Sequence, residues 1–144
     1  MKTLGGVLVL LCVTAMLGCA APNNRLYSGD ALPPEKIGIL TAPTEHIFDA
    51  KALIRSIDGT AIERSKWDGK AQVELLPGAH VVRIGMLQST IGGTRFSRTD
   101  QVVRFKVEAG HVYEARVVVS TDGGDNRWDA KIIDTTTGTT YGNQ

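Results

Sequence analysis

Few side chains in this 144-residue sequence have a type and spacing that suggest chemistry, and the clearest is the thiol of Cys19. It follows Met16-Leu17-Gly18 and closes an apolar stretch, residues 4–17, that begins soon after the positive charge of Lys2. This order is typical of a bacterial lipoprotein signal peptide. In such a peptide the thiol receives a diacylglycerol, the chain is cut before the cysteine, and the new amino terminus is usually acylated. Stable membrane attachment needs more than one acyl chain, so we expect Cys19 to carry a palmitate-type lipid anchor.

Two other interpretations of the segment stay open. A transmembrane helix needs about 20 apolar residues, whereas this run is shorter and is interrupted by two glycines and a threonine. Ala15 or Gly18 could instead serve a general signal peptidase, and leucine is more common than Met16 three residues before a lipidated cysteine. Ala20 stands where an aspartate would signal retention in the inner membrane of enteric bacteria. The sequence therefore favours the outer membrane. We expect the domain on its periplasmic face, and exposure at the cell surface stays open as the alternative.

The predicted cleavage divides the chain into three parts. Residues 1–18 are the signal peptide, residues 19–36 are the lipidated cysteine and a Pro/Asn-rich tether, and residues 37–144 are one domain. Cleavage leaves 126 of the 144 residues, enough for one hydrophobic core. With Lys2 removed, 15 basic residues face 15 acidic ones, so bulk charge gives no argument for nucleic acid as a partner. With Cys12 removed, Cys19 is the only cysteine and an internal disulfide is excluded.

The residue pattern from Ile37 onward is that of β-strands. Apolar and polar residues alternate over 102–108 and 113–119, which is the period of a half-buried strand. Turn dipeptides such as Asp58-Gly59 and Pro77-Gly78 separate about seven short segments of this kind. No long helical segment is available to make the crossovers of a parallel sheet. The prediction is an all-β fold, a single antiparallel β-sandwich.

Two stretches of the predicted domain resemble each other. Residues 73–82 and 105–113 each contain a strand, a tight turn with glycine, a histidine and a second strand. We interpret them as two similar hairpins, in which Gly78 and Gly110 take the turn position where φ is positive.

Three histidines and one acidic loop are the candidate metal ligands in the sequence. His46, His80 and His111 could form a zinc triad, but their spacing is not that of a ligand set. A histidine beside a turn glycine is more often a strand-end residue hydrogen-bonded to the turn. Residues 122–126, Asp-Gly-Gly-Asp-Asn, lack the spacing of a calcium loop and are typical of a solvated turn. We therefore predict no bound metal and no cofactor.

The sequence also lacks the motifs of nucleophilic catalysis. It contains no Gly-x-Ser-x-Gly elbow, and the mature chain has no cysteine available as a nucleophile beside a histidine. We accordingly assign no catalytic residue and predict that the protein is not an enzyme.

A basic loop is the remaining candidate site. Arg95, Phe96 and Arg98 could hold an anionic or sugar polymer by charge and stacking. Further cations on predicted outward strand faces could extend the patch: Arg83, Arg104, Lys106 and Arg116. The competing interpretation is a solvated sheet face whose cations are balanced by Glu74, Glu108 and Glu114.

The turn motifs carry a resemblance to known proteins. The segments 26–29, 54–59, 75–82, 107–113 and 128–134 resemble those of a group of small, uncharacterised proteobacterial lipoproteins. The Ile-Asp-Gly at residues 57–59 and the Leu-Pro-Gly-Ala-His-Val-Val at residues 76–82 are also similar to the hairpin of PEGA domains. The resemblance implies a small β-sandwich in the cell envelope, without an established reaction.

Taken together, these patterns predict a lipid-anchored envelope protein with a non-enzymatic β-domain. The membrane, through Cys19, is one expected partner, and another envelope protein is the second. The alternative function is binding of peptidoglycan or lipopolysaccharide by the basic loop.

Overall fold

The computed structural model of the chain describes residues 23–43, 50–63, 72–120 and 127–142. These residues form an all-β structure, as the sequence predicts, with one turn of 3-10 helix at Pro34–Lys36. The strands in this part of the chain are β1 Asn23–Arg25, β2 Gly38–Thr41, β3 Ala50–Ile57, β4 Thr60–Ala61, β5 Gln72–Leu75, β6 Gly78–Thr90, β7 Gly93–Phe96, β8 Gln101–Val107, β9 Val112–Ser120, β10 Arg127–Asp134 and β11 Thr140–Gly142.

The strands form two sheets. The first has six strands in the order β1-β5-β2-β9-β10-β11. The second has the order β4-β3-β6-β7, and β8 also pairs with β6. Strands β7 and β8 lie end to end along one edge of the long strand β6, while β3 lies along its other edge. The eleven strands of the described residues exceed the seven or so predicted, because β1, β7 and β11 have no clear alternating pattern.

The prediction of a purely antiparallel fold is wrong for the six-stranded sheet. Strand β1 pairs in parallel with β5, and β2 pairs in parallel with β9. The chain between β2 and β9 contributes the strands β3, β4, β6, β7 and β8 of the other sheet. Those strands provide the crossover that parallel neighbours need, so no helix is required.

One hydrophobic core joins the two sheets. Its fully buried side chains come from both, including Leu40 and Tyr113 of the six-stranded sheet and Ile57, Ile84 and Val103 of the other. Alternate residues of β8 and β9 are buried, as their sequence patterns predict. Burial of apolar surface at about 25 cal/mol per Å² is the main favourable contribution that such a core makes to stability.

The two glycine turns are not hairpins, contrary to the sequence interpretation. Strand β5 belongs to the first sheet and β6 to the second, while the turn after β8 leads back to β9 of the first sheet. The predicted positive φ is confirmed, at +145° for Gly78 and +79° for Gly110. Asp58 and Gly59 also have positive φ and close a true hairpin between β3 and β4. A local motif thus fixes a reversal of the chain but does not fix which strands pair.

Part of the predicted tether belongs to the sheet. Residues 23–25 form β1, and the backbone N–H of Leu26 donates to the carbonyl oxygen of Glu74 at 3.2 Å. The Tyr27 hydroxyl donates to Glu74 Oε2 at 2.7 Å, and Arg25 Nε lies 3.5 Å from the same oxygen. The domain therefore begins at or before residue 23, rather than at residue 37. Near the carboxyl terminus, β11 is an edge strand of the same sheet.

The strand directions give the domain two distinct ends. At the turn end lie the turns after β3, β5, β8 and β10, because these strands all finish there. At the opposite end, which we call the Asn23 end, β1, β3 and β10 begin, β9 finishes, and β6 turns into β7. Whatever precedes residue 23 therefore enters the domain at the Asn23 end.

Candidate functional site

The structure separates the residues of the predicted basic loop. Arg95 and Phe96 are consecutive residues of β7, opposite Gln88 and Leu87 of β6, so their side chains point to opposite faces of the sheet. Both are exposed, and Arg98 is exposed in the segment that joins β7 to β8. Phe96 lies on the outer face of the five-stranded sheet, where its side chain is 44 % exposed. The three residues therefore do not form a single clamp, and polymer binding at this loop stays a prediction.

The outer face of the five-stranded sheet carries most of the predicted basic patch. Arg83 and Arg104 lie diagonally on β6 and β8, because Arg83 pairs with Val102 and Arg104 with Val81. Lys106 continues the row and lies 3.6 Å from Glu108. Arg116 is on the other sheet, where its guanidinium contacts Glu114 at 2.6 Å. Glu74 and Glu114 also lie on that sheet. They are two of the carboxylates that were expected to balance the positive charge of the basic patch.

In the middle of this outer face, the carboxylate of Asp100 pairs with two arginines. A β-bulge in β3 between Ile54 and Ser56 leaves Arg55 as the extra residue, and its Nε lies 3.7 Å from Asp100 Oδ1. Arg83 lies 3.3 Å from the other oxygen of Asp100. Gly85 allows this arrangement, since a Cβ there would come within 2.9 Å of Arg55 Nε. No sequence pattern predicts this cluster, because the bulge and the glycine contact depend on strand pairing.

His80 is held at the turn end by two acceptors. Its Nδ1 lies 2.6 Å from Asp58 Oδ2, and its Nε2 lies 2.8 Å from the carbonyl oxygen of Leu76. Asp58 Oδ1 also accepts a hydrogen bond from the backbone N–H of Val81 at 2.8 Å. A carbonyl and a carboxylate can only accept, so both ring contacts are hydrogen bonds when the imidazole carries both protons. The predicted hydrogen bond between a strand-end histidine and its turn is confirmed here.

His111 makes a more buried pair at the same end. Its Nδ1 donates to Asp134 Oδ2 at 2.8 Å, and the side chain of Asp134 is only 4 % exposed. Asp134 Oδ1 accepts hydrogen bonds from the backbone N–H groups of Thr136 and Thr137 at 2.9 and 3.3 Å. Burial alone would raise the pKa of Asp134, but these hydrogen bonds outweigh burial and hold it below its ordinary value of 3.8. Burial raises the pKa of the neighbouring Tyr113 hydroxyl.

Asp134→Asn is expected to lower the free energy of unfolding by about 1.5–3 kcal/mol at pH 7, because hydrogen bonds to a buried charge are lost. The pKa of Asp134 is lower in the folded chain than its ordinary value of 3.8. Its stabilisation is therefore complete above that value and is lost as the pH falls through the folded pKa. Urea unfolding at several pH values measures the difference between the two proteins.

Asp129, an exposed carboxylate on the same strand, provides the control. Asp129→Asn should change stability by less than about 0.5 kcal/mol. A difference between the parent protein and Asp134→Asn that persists undiminished below pH 3 would contradict the assignment.

The described residues contain no group of three His, Cys, Asp or Glu side chains placed to hold a metal ion. His80 and His111 each have a carboxylate partner instead. His46 and the predicted loop at residues 122–126 lie outside the described residues.

A cleft opens between the sheets at the Asn23 end. Small apolar residues such as Ala52, Ala115 and Val117 line it together with Lys51 and Arg116. Among the described residues that line it there is no carboxylate, histidine or hydroxyl. Of the described residues that line it, only Lys51 has a side chain of the kind that acts as a base or nucleophile.

The lipidation candidate, Cys19, and the whole predicted signal peptide lie outside the described residues. Within the part of the chain that is described, no helix is long and apolar enough to cross a membrane.

Comparisons with known proteins give no match for this chain. The chain matches no protein-family model, no curated protein and no solved structure. The resemblance to proteobacterial lipoproteins and PEGA domains therefore stays a prediction.

Proposed function

We propose that this chain is a lipid-anchored protein of the bacterial cell envelope, attached to the periplasmic face of the outer membrane. In this proposal the lipid on Cys19 holds a small β-sandwich at the membrane, and the sandwich binds another envelope protein or supports an envelope complex. The protein acts by binding and not by catalysis.

A single feature of the sequence carries the proposal. A positive residue, an apolar run and Gly18-Cys19 precede the domain, and only residues 20–22 separate Cys19 from β1. Fully extended, the four steps from Cys19 to Asn23 span at most about 13–14 Å. A lipid on Cys19 would keep the Asn23 end of the domain close to the bilayer.

The arrangement of the sheets supports a single displayed domain. Both sheets contribute to one buried cluster, and β8 packs on β10 and β11 while β3 packs on β9. These contacts between the sheets support the proposed β-sandwich. A rigid sandwich with its chain entry at one end leaves the turn end and the outer sheet faces for partners.

Two measurements test the proposal on the natural protein. Mass spectrometry of the amino-terminal peptide should find Cys19 acylated at its thiol and at its new amino group. Crosslinking in intact cells, followed by purification from detergent, should recover a reproducible envelope protein. An unmodified Cys19 would contradict the anchor, and a chain acylated at Cys19 that crosslinks to no protein would contradict the partner.

A second candidate function is binding of peptidoglycan or lipopolysaccharide. The observation that favours it is the cationic outer face of the five-stranded sheet, where Arg83 and Arg104 are exposed and Phe96 lies on the same face. Arginine on such a face can bind phosphate or carboxylate groups, and an aromatic ring can stack on a sugar.

Two paired charge reversals locate this binding. Arg83→Glu with Arg104→Glu alters the outer face, whereas Arg95→Glu with Arg98→Glu alters the loop that the sequence predicts. If the outer face binds, the first pair should reduce co-sedimentation with purified cell-wall sacculi at least tenfold, and the second pair should have a smaller effect. Equal co-sedimentation of both pairs and the parent protein would exclude charge-dependent polymer binding.

A further inference from the structure

We propose that the hairpin of β6 and β7 rests its tip in the membrane interface beside the lipid anchor. The tip is residues 89–94, and the occupant is the lipid bilayer itself. This inference rests on the proposed lipidation of Cys19 and adds a second contact between the domain and the membrane.

The hairpin points in the direction from which the anchor arrives. Strand β1 begins at Asn23, opposite Gln72 at the start of β5, so the chain enters at the Asn23 end. The last pair between β3 and β6 is Ala50 with Gln88, and β6 continues beyond it to Thr90. At about 3.3 Å per residue the tip extends roughly 10 Å beyond Ala50, where β3 begins. This distance is similar to the largest distance, about 13–14 Å, that the chain can span between Cys19 and Asn23.

The tip presents an apolar side chain that nothing in the described residues covers. Ile91 is 101 % exposed, whereas the next most exposed large hydrophobic residue among them, Val118, is 47 % exposed. Its neighbours Thr90 and Gly92 are small, and Thr90 Oγ1 donates to the carbonyl oxygen of Gly93 at 3.0 Å, which closes the turn. An isoleucine at the point of a closed turn can enter an interface without exposing the strand edges to lipid.

The charge of the hairpin suits an anionic lipid surface. From Leu75 to Thr99 the chain contains no aspartate or glutamate, whereas it contains Arg83, Arg95 and Arg98. Both Arg95, which pairs with Gln88, and Arg98, which follows β7, are exposed. An apolar tip with arginines behind it places the isoleucine among acyl chains while the guanidinium groups stay among phosphates.

The two contacts would also fix how the domain stands on the membrane. Strand β1 is one edge of the six-stranded sheet, and the packing of β8 on β10 and β11 puts β7 and β8 at the opposite side of the domain. The anchor and the hairpin therefore hold opposite sides of the Asn23 end. The turn end, with its two histidine–aspartate pairs, would then face away from the bilayer.

A fluorescent reporter near the tip tests this in the lipidated protein. Thr94→Cys puts the only free thiol beside the tip, because Cys12 leaves with the signal peptide and the thiol of Cys19 is blocked by lipid. Glu35→Cys puts the same reporter at the turn end. After purification from membranes, each protein is labelled and reconstituted into vesicles of phosphatidylcholine with or without phosphatidylglycerol. Quenchers carried at a shallow acyl position, or iodide in water, then measure the depth of each reporter.

We expect the lipid quencher to reduce emission from residue 94 several-fold more than emission from residue 35. Iodide should instead reduce emission from residue 35 more than emission from residue 94. Ile91→Ser should remove most of that difference while leaving the protein on the vesicles. Arg95→Gln with Arg98→Gln should reduce it mainly in the phosphatidylglycerol vesicles.

The contrary outcomes can be told apart. Equal access of iodide to residues 94 and 35 in vesicle-bound protein would overturn the hairpin contact and leave the anchor intact. Protection of residue 94 from both quenchers would overturn it in favour of a protein occupant. A chain that does not float with vesicles and whose Cys19 still takes the label would refute the lipidation, and the hairpin contact with it.

Discussion

Replacing Cys19 with serine is expected to move the protein from the membrane fraction to the soluble fraction, or to leave it unprocessed with its signal peptide attached. The hydroxyl of serine is not the thiol that receives diacylglycerol, so the chain would carry no lipid. Each methylene of an acyl chain adds about 0.8 kcal/mol to membrane binding, and more than one chain makes attachment stable. Fractionation at high salt, with immunoblotting and the mass of the amino-terminal peptide, measures the change.

Cys12→Ser is the matched control, since Cys12 lies in the apolar run that cleavage removes. That variant should remain lipidated and membrane-bound. A Cys19→Ser protein that is cleaved and still resists extraction at high salt would show that attachment does not depend on the lipid. The hairpin alone, with one isoleucine and its arginines, is expected to be too weak for that, because even a single acyl chain binds only reversibly.

Gly38→Ala is expected to cause the largest loss of stability of the substitutions considered, about 3 kcal/mol. Gly38 is buried at the start of β2, and a Cβ there would overlap Val107 Cγ1 and lie 3.2 Å from Tyr113 Cε2. Both side chains are fully buried in the core, so they can shift only by displacing other core residues. Overpacking of this kind forces shifts of side chains and backbone. Chemical denaturation of the purified protein measures the free energy of unfolding.

A double substitution identifies the contact responsible. Val107→Ala removes the γ carbons that the new methyl would overlap, so Gly38→Ala with Val107→Ala should lose less stability than the two single changes added together. A coupling energy of about 1–2 kcal/mol is expected for residues in direct contact. Gly92→Ala is the control, because a Cβ at that exposed glycine meets nothing within 4 Å. Strict additivity of the two core changes would contradict the proposed clash.

Local features of the fold were predictable from sequence because they depend on adjacent residues. Alternation over 102–108 and 113–119 correctly predicts which side chains of β8 and β9 are buried. The Asp58-Gly59 turn and the positive φ of Gly78 and Gly110 follow from the conformational freedom of these residue types.

The pairing of strands could not be predicted in the same way. A period of two tells which face of a strand is apolar but does not identify its neighbour. The parallel partners β2 and β9 are separated in the chain by most of the other sheet, so their pairing depends on packing of the whole domain. Strand β1 was missed for a related reason: as a three-residue edge strand it has too few residues to show a pattern.

The candidate sites show the same difference between what adjacent residues determine and what strand pairing determines. Arg95 and Phe96 are adjacent in sequence, which suggested a common site, but a strand directs adjacent side chains to opposite faces. Asp134 was not singled out, because only the tertiary structure brings it to His111, 23 residues away in the chain. The Arg55–Asp100–Arg83 cluster needs a bulge and a glycine at matching positions on two strands.

The sequence by itself determined the predicted lipid anchor at Cys19, the all-β class and the positions of the glycine turns. Each of these depends only on residues that are neighbours in the chain. Only the tertiary structure decided that the chain enters at the same end from which Ile91 projects, and that the histidine–aspartate pairs occupy the other end. The physical reason is that direction and proximity arise from strand pairing and core packing, which join residues far apart in the chain.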